Sequence, residues 1–361
     1  MAGAVQTLDD FINSLGTATK GDGTTETIGL SQDQINAFVK GFYDEGAAYG
    51  DGKMYTMPFS KSTEVLYYNV EFFKEHNLKV PTNWEEMEQV CAQIKAIDPN
   101  SIPLGYDSES NLFITMCEQL GLPYTSATGD HYLFDGDEQK AFVEMFRQWY
   151  QKGYMTTEEI YGSYTSGLFT NIPTSENPTR AYMCIGSSAG AQYQRPTADT
   201  NGKYPFTVGI APIPQANAEN PKAISQGPSV VIFKKADPQE VVASWLFVKF
   251  LTTSVEFQAE FSVTSGYMPV LTTVNENETY AKYIANAEKG NAYVTALSVK
   301  VSLEQEKAYF VSPAFNGSST ARDEVGSLMT KVLVMEGTAN EVRSKIDEAF
   351  QDAIDECEYQ G

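Results

Sequence analysis

Histidine, tryptophan, cysteine and positive charge are all scarce in this 361-residue chain, and each shortage removes a class of function. The two histidines (His76, His131) and four cysteines (Cys91, Cys117, Cys184, Cys357) stand far apart, with no CxxC or HxxxH spacing. Zinc sites built from these residues need such clustering, so no metal site is expected. Cys91 and Cys117 fall in apolar helical patterns, which predicts buried free thiols rather than bridges. Lys and Arg total 25 against 47 Asp and Glu, a formal charge of −22. Phosphate neutralisation needs clustered basic side chains, so nucleic acid is excluded as a partner. No run of about 18 apolar residues occurs, so no stretch is long enough for a helical membrane span. The first residues, MAGAVQTLDDFINSLG, lack the basic, apolar and small-residue segments of a signal peptide. Gly52-Lys53 and Gly202-Lys203 lack the rest of a phosphate loop, and no GxGxxG occurs, so no cofactor is expected.

Aromatic residues are plentiful, with 21 Tyr and 20 Phe beside only 3 Trp. At about 150 residues per domain, the length predicts two to three domains. Helix signals are well punctuated. Thr82 with Glu85 after Pro81 forms a capping-box pattern that opens a helix through Trp84, Met87, Val90, Cys91 and Ile94. Asp237-Pro238-Gln239-Glu240 opens another, whose residues 241–248 are apolar nearly all round and are expected to be largely buried. Asp135-Gly136-Asp137-Glu138 reads as a cap for a helix through Phe142, Phe146 and Trp149, and a last helix runs from about Asn340 with Val342, Ile346, Ala349, Phe350 and Ala353 on one face. Strands are expected at Lys53–Pro58, Glu64–Asn69, Arg180–Ile185, Phe206–Ala211 and Ser229–Phe233, and Gly16–Thr27 reads as a loop. Several of these strands are continuous apolar runs, as for strands covered on both faces. Alternation with helices gives an α/β architecture.

Gly186-Ser187-Ser188-Ala189-Gly190 satisfies G-x-S-x-G after an apolar strand. An α/β-hydrolase needs a histidine further along the chain, and none follows His131. The alternative of a glycoside or ester hydrolase, using Ser188 or a carboxylate pair, is therefore weaker than a binding loop. Small residues between a strand end and a helix start leave room for a ligand near backbone N–H groups.

Three segments carry a resemblance. They are Lys53-Met54-Tyr55-Thr56-Met57-Pro58 through Tyr67-Tyr68-Asn69, followed by Pro81-Thr82-Asn83-Trp84; Thr264-Ser265-Gly266-Tyr267-Met268-Pro269; and Gln226-Gly227-Pro228-Ser229. In order and spacing the chain resembles the extracellular solute-binding proteins of ABC importers, in the maltose- and glycerol-3-phosphate-binding group. That resemblance implies a two-lobe, type II periplasmic-binding-protein-like α/β fold with the ligand in a cleft between lobes. It implies a first lobe of residues 1–105 plus 228–305 and a second of 106–227 plus 306–361. It also implies capture of a carbohydrate or polyol phosphate by hinge closure, with no catalysis, and delivery to ABC permease transmembrane subunits by a monomeric receptor. The receptor's place is the extracellular face of the membrane, as a lipoprotein, or the periplasm. Family members begin with a strand and helix before a segment like residues 3–10, so the first lobe is expected to be incomplete and its N-terminal part missing. Residue by residue, the resemblance puts Ser62, Thr63, Ser187, Ser188, Gly227 and Tyr267 at the ligand, with Arg322 near a phosphate-contacting position. Tyr161 and Tyr164 are expected to line the cleft or to pack. Glu64 is expected to accept from sugar hydroxyls or to sit at the surface. Tyr67 and Tyr68 are expected in strand core.

Overall fold

The computed structural model describes residues 3–360. Five strands form its largest sheet: β1 (Glu64–Asn69), β2 (Leu104–Tyr106), β3 (Met155–Thr157), β4 (Met183–Ser187) and β5 (Val208–Pro212), in the order β3-β2-β4-β1-β5. Strands β2, β3 and β4 are parallel, while β1 runs antiparallel to both its neighbours, with Glu64 opposite Ser187 and Val65 opposite Pro212. Both faces of the sheet are covered, which is why the middle of β1, Val65–Tyr68, is apolar without alternation. Alternate side chains point to opposite faces. Leu66 joins one core with Leu104, Met183 and Ile185, whereas Val65 and Tyr67 join the other with Cys184, Phe206 and Val294. The sequence is right about Tyr67 and half right about Tyr68, which is half-buried.

Eight longer helices build the layers. They are α1 (Trp84–Ile97), α2 (Glu109–Leu120), α3 (Asp137–Gln151), α4 (Pro238–Thr253), α5 (Val255–Ser265), α6 (Val294–Glu304), α7 (Ser318–Leu333) and α8 (Ala339–Gln360). Helix α1 starts one residue later than its capping-box reading: Asn83 accepts from the Glu86 N–H, and Glu86 reaches back to the N–H and hydroxyl of Thr82. Asp237 caps α4 as expected. That helix is only half covered, however. Val241, Trp245 and Val248 are buried while Phe247 and Phe250 are exposed, so its uniformly apolar sequence overstates its burial. The stretch 16–27 is not a loop but an antiparallel hairpin, Thr17–Thr19 against Thr25–Thr27. The α8 face of Val342, Ile346, Ala349, Phe350 and Ala353 is buried, and all four cysteines are buried free thiols.

A second body has its own core, joining Leu8, Phe42 and Met57 to Trp245, Val270 and Val299. Residues before 105 contribute to both cores. Phe73, Trp84, Met87, Cys91 and Leu104 pack with Phe113, Phe146, Met183 and Phe350, because β1 is an inner strand of the large sheet and α1 covers it. Between the bodies run short paired segments, with Ser62 bridged to Gln226, Lys61 to Met268, and Met57–Pro58 to Ser229–Val230.

Candidate ligand-binding cleft

The three parallel strands end on one rim. Asp107 follows β2, Glu158 follows β3, and Ser187 closes β4. The carboxyl ends of parallel strands are where α/β sheets open a crevice, because successive chains turn away from the sheet there. A cavity of about 890 Å³ lies over this rim. Helix α2 enters it with Ser108 and Asn111, α7 with Arg322, and the 3₁₀ turn Ser188–Gln194 with Tyr193 and Gln194. Ser265 and Tyr267, from the end of α5 and the turn after it, face them from the second body.

Glu64, opposite Ser187 at the start of β1, lies at the rim and is 1% exposed. Tyr106 donates its hydroxyl to Oε2 at 2.8 Å, and Asn111 donates Nδ2 to Oε1 at 2.8 Å. Asn111 Nδ2 also donates to Gln226 Oε1 at 3.1 Å, and Asn111 Oδ1 accepts from the Arg322 guanidinium. The network thus ties β1, α2, α7 and the crossing segment together. Burial pushes the Glu64 carboxyl up to about 7, against the opposing pull of Asn111, Tyr106 and Arg322. Burial also raises the Asp107 carboxyl, although Thr165 donates both its N–H and its hydroxyl to it.

The structure separates the expected ligand residues into two groups. Glu64, Tyr164, Ser187, Tyr267 and Arg322 line the cavity together. Glu64 is buried, which excludes its surface reading. Ser62, Thr63, Ser188, Gly227 and Tyr161 are not among the lining residues. Ser62, Thr63 and Ser188 are buried in the hydrogen-bonded backbone next to it, and Gly227 is exposed beside them. Thr63 N–H donates to Ser188 Oγ at 3.1 Å, Ser188 N–H to Thr63 O at 2.8 Å, and Ser62 N–H to Gln226 O at 2.8 Å. Gly227 has φ +102°, and a Cβ there would sit 2.5 Å from Ser60 O, so glycine lets the crossing segments approach. Tyr161 is 40% exposed outside the cavity.

The G-x-S-x-G motif has a different cause from a nucleophile elbow. Ser188 is fully buried, and its oxygen accepts from Thr63. His131 stacks on Phe315 and His76 lies against Phe72, so neither serves it as a base. Gly186 is small because a Cβ there would meet Asp107 Oδ2 at 2.6 Å. Reading the sequence alone misses Asp107, Asn111, Glu158, Tyr193, Gln194 and Gln226. The Ser108 cap before α2 was a usable signal for the strand end beside Asp107.

Comparison with known proteins agrees with this architecture. The sequence profile of the bacterial extracellular solute-binding proteins matches residues 1–288. The sn-glycerol-3-phosphate-binding periplasmic protein UgpB of Salmonella typhimurium is 26% identical over 264 residues, which cover 69% of this chain and 56% of that protein. The Escherichia coli K12 protein is 26% identical over 256 residues, covering 67% and 54%. The chain therefore spans little more than half the length of these curated relatives. Among solved structures, UgpB from Mycobacterium tuberculosis in complex with glycerophosphocholine superposes with a TM-score of 0.72 at 16% identity, over 98% of this chain and 80% of that one. The cyclic alpha-maltosyl-1,6-maltose binding protein from Arthrobacter globiformis gives 0.68 at 16% identity, with the same coverage. These structures share the fold, two α/β lobes about a cleft, and the chain belongs to the bacterial extracellular solute-binding protein family.

Proposed function

We propose that this protein is the extracellular receptor of an ABC importer, a non-catalytic protein that captures a carbohydrate or a polyol phosphate and hands it to membrane permeases. The observation that carries this reading is the cavity at the strand ends, where one guanidinium, the carboxyl groups of Glu64, Asp107 and Glu158, several uncharged donors and acceptors and three tyrosines converge. Aromatic faces suit the C–H faces of sugars and polyols, while a few polar groups fix orientation. Relatives named for glycerol-3-phosphate and a neighbour holding glycerophosphocholine support the same ligand range.

In this reading the lobes are residues 3–60 with 228–305, and 64–224 with 308–360, and the ligand is held as they close. Glu64, Tyr164, Ser187, Tyr267 and Arg322 touch the ligand. Ser62, Thr63, Ser188 and Gly227 hold the backbone next to it, and Tyr161 stands outside. The working protein is a monomer at the outer face of the membrane or in the periplasm. A thermal-shift panel of maltose, ribitol, glycerophosphocholine and sn-glycerol-3-phosphate tests this. A true ligand raises the melting temperature with concentration as RT ln(1 + [L]/Kd), and no shift with any of the four contradicts the proposal.

A further inference from the structure

Behind the crossing segments lies a second gap between the bodies, and none of its described lining residues lines the cleft. Ala223–Ile224 runs parallel to Tyr309–Phe310, and Ser225 continues that pairing by donating its N–H to Phe310 O at 2.8 Å. Alternate side chains of an extended segment point to opposite sides. Gln226 faces the cleft, where its Oε1 accepts from Asn111, so Ser225 faces the other way. Lys61 of the first crossing segment also points to the rear: its side chain is fully buried and donates Nζ to Glu45 Oε2 at 2.7 Å. Ser225 and Glu45 line a rear cavity of about 310 Å³. One wall belongs to the second body, through Gly41, Phe42 and Ala48. The opposite wall is Phe310 and Val311, and Phe310 packs against the core beneath the large sheet. Both carboxylates at this cavity are paired, Glu45 with Lys61 and Asp44 with Lys40. What remains uncovered is apolar: Phe310 is half-buried and Val311 is exposed. Two bodies on a hinge trade one gap for the other. Rotation that narrows the cleft widens the rear cavity, and rotation that opens the cleft brings Phe310 and Val311 towards Phe42 and Ala48. Apolar surface covered at the rear on opening favours the open arrangement.

We propose that this rear cavity sets the balance between the open and closed arrangements of the two bodies, and that a side chain filling it holds the cleft closed. The inference goes beyond the receptor reading above and does not rest on it. It needs the two-body fold and the position of the cavity behind Ser225, whatever the cleft binds.

Gly41 supplies the test. It lies in the short helix Lys40–Asp44, and a Cβ there would meet nothing within 4 Å, so the wall has room for a side chain. Gly41→Phe adds a ring on that wall, whereas Gly41→Ala adds too little to fill the cavity. All four native cysteines are buried, so spin labels attach selectively to Glu159→Cys and Thr264→Cys. These exposed positions neighbour the cleft-lining Glu158 and Ser265, one on each body. Pulsed electron–electron resonance on the whole labelled chain, without added ligand, reads the separation across the cleft. Gly41→Phe is expected to shorten the mean label separation by at least about 2 Å, and Gly41→Ala to leave it within about 1 Å of the parent. Should Gly41→Phe melt early, Ala48→Trp, exposed on the same wall, carries the test with the same expectation. An unchanged or longer separation in the folded filling variant, or an equal shortening in Gly41→Ala, overturns the proposal.

Discussion

Burial of Glu64 makes the stability of this protein pH-dependent in a calculable direction. The carboxyl titrates at about 7 in the folded chain against 4.5 when unperturbed, because desolvation outweighs the bonds from Asn111 and Tyr106. A raised carboxyl pKa means that the folded state binds the proton more tightly than the unfolded one. The associated stability is fully present below pH 4.5 and is lost as pH rises through about 7. At about 1.4 kcal/mol per pH unit across that interval, the loss amounts to about 3 kcal/mol. Glu64→Gln removes the ionisation while keeping one oxygen for Asn111 and an amide that donates to the Tyr106 oxygen. Urea unfolding of both chains, at pH values from about 5 to about 8, isolates the effect in the difference between them. Contributions from Asp107 and Glu158 remain in both chains and largely cancel. The variant is expected to gain about 3 kcal/mol relative to wild type over the range. A difference that is flat with pH, or that falls as pH rises, refutes the assignment.

Other substitutions test the cleft and the backbone beside it. Gly227→Ala forces a side chain onto a backbone at φ +102° with Ser60 O in its way, and should cost at least about 2 kcal/mol in denaturant unfolding. Ser188→Ala leaves the buried Thr63 N–H without that partner, so a loss of about 1–3 kcal/mol is expected. The same variant decides against the hydrolase reading: turnover of chromogenic esters or glycosides by wild type that Ser188→Ala abolishes contradicts the receptor assignment. Arg322→Ala should reduce affinity for an acceptor-bearing ligand such as sn-glycerol-3-phosphate by about tenfold or more with little change in melting temperature. A large fall in melting temperature instead identifies a structural role for the guanidinium bonded to Asn111.

Long, strongly patterned elements were legible in the sequence, and short ones were not. The span Glu64–Asn69 reads as a strand and is one, and the apolar face of α8 is read residue for residue. Three-residue strands such as Leu104–Tyr106 and Met155–Thr157 are too brief to show a period. Missing them hides that Asp107 and Glu158 stand at strand ends, and so hides two carboxyl groups of the cleft. The pairing of β1 with β4 and β5 is likewise a long-range fact that no local pattern carries. Part of the loop at Gly186–Gly190 lines the cavity, but the pattern does not distinguish a residue that faces the cavity from one sealed behind it. Ser187 lines the cavity while Ser188, one residue on, is sealed behind it. Arg322 is brought to the site by α7, and its neighbours Asn111 and Glu64 lie more than 200 residues earlier in the chain.

In the proposed function a small polar ligand is captured over the strand ends between the two bodies. Isothermal titration of the wild-type chain and of Tyr267→Ala, with maltose, ribitol, glycerophosphocholine and sn-glycerol-3-phosphate in turn, tests it most directly. Tyr267 reaches the cavity from one body while Arg322 and Asp107 reach it from the other. Saturable one-to-one binding of at least one of these compounds is expected, weakened by about tenfold when the tyrosine is removed. Binding that is indifferent to Tyr267, or the absence of binding by all four, contradicts it.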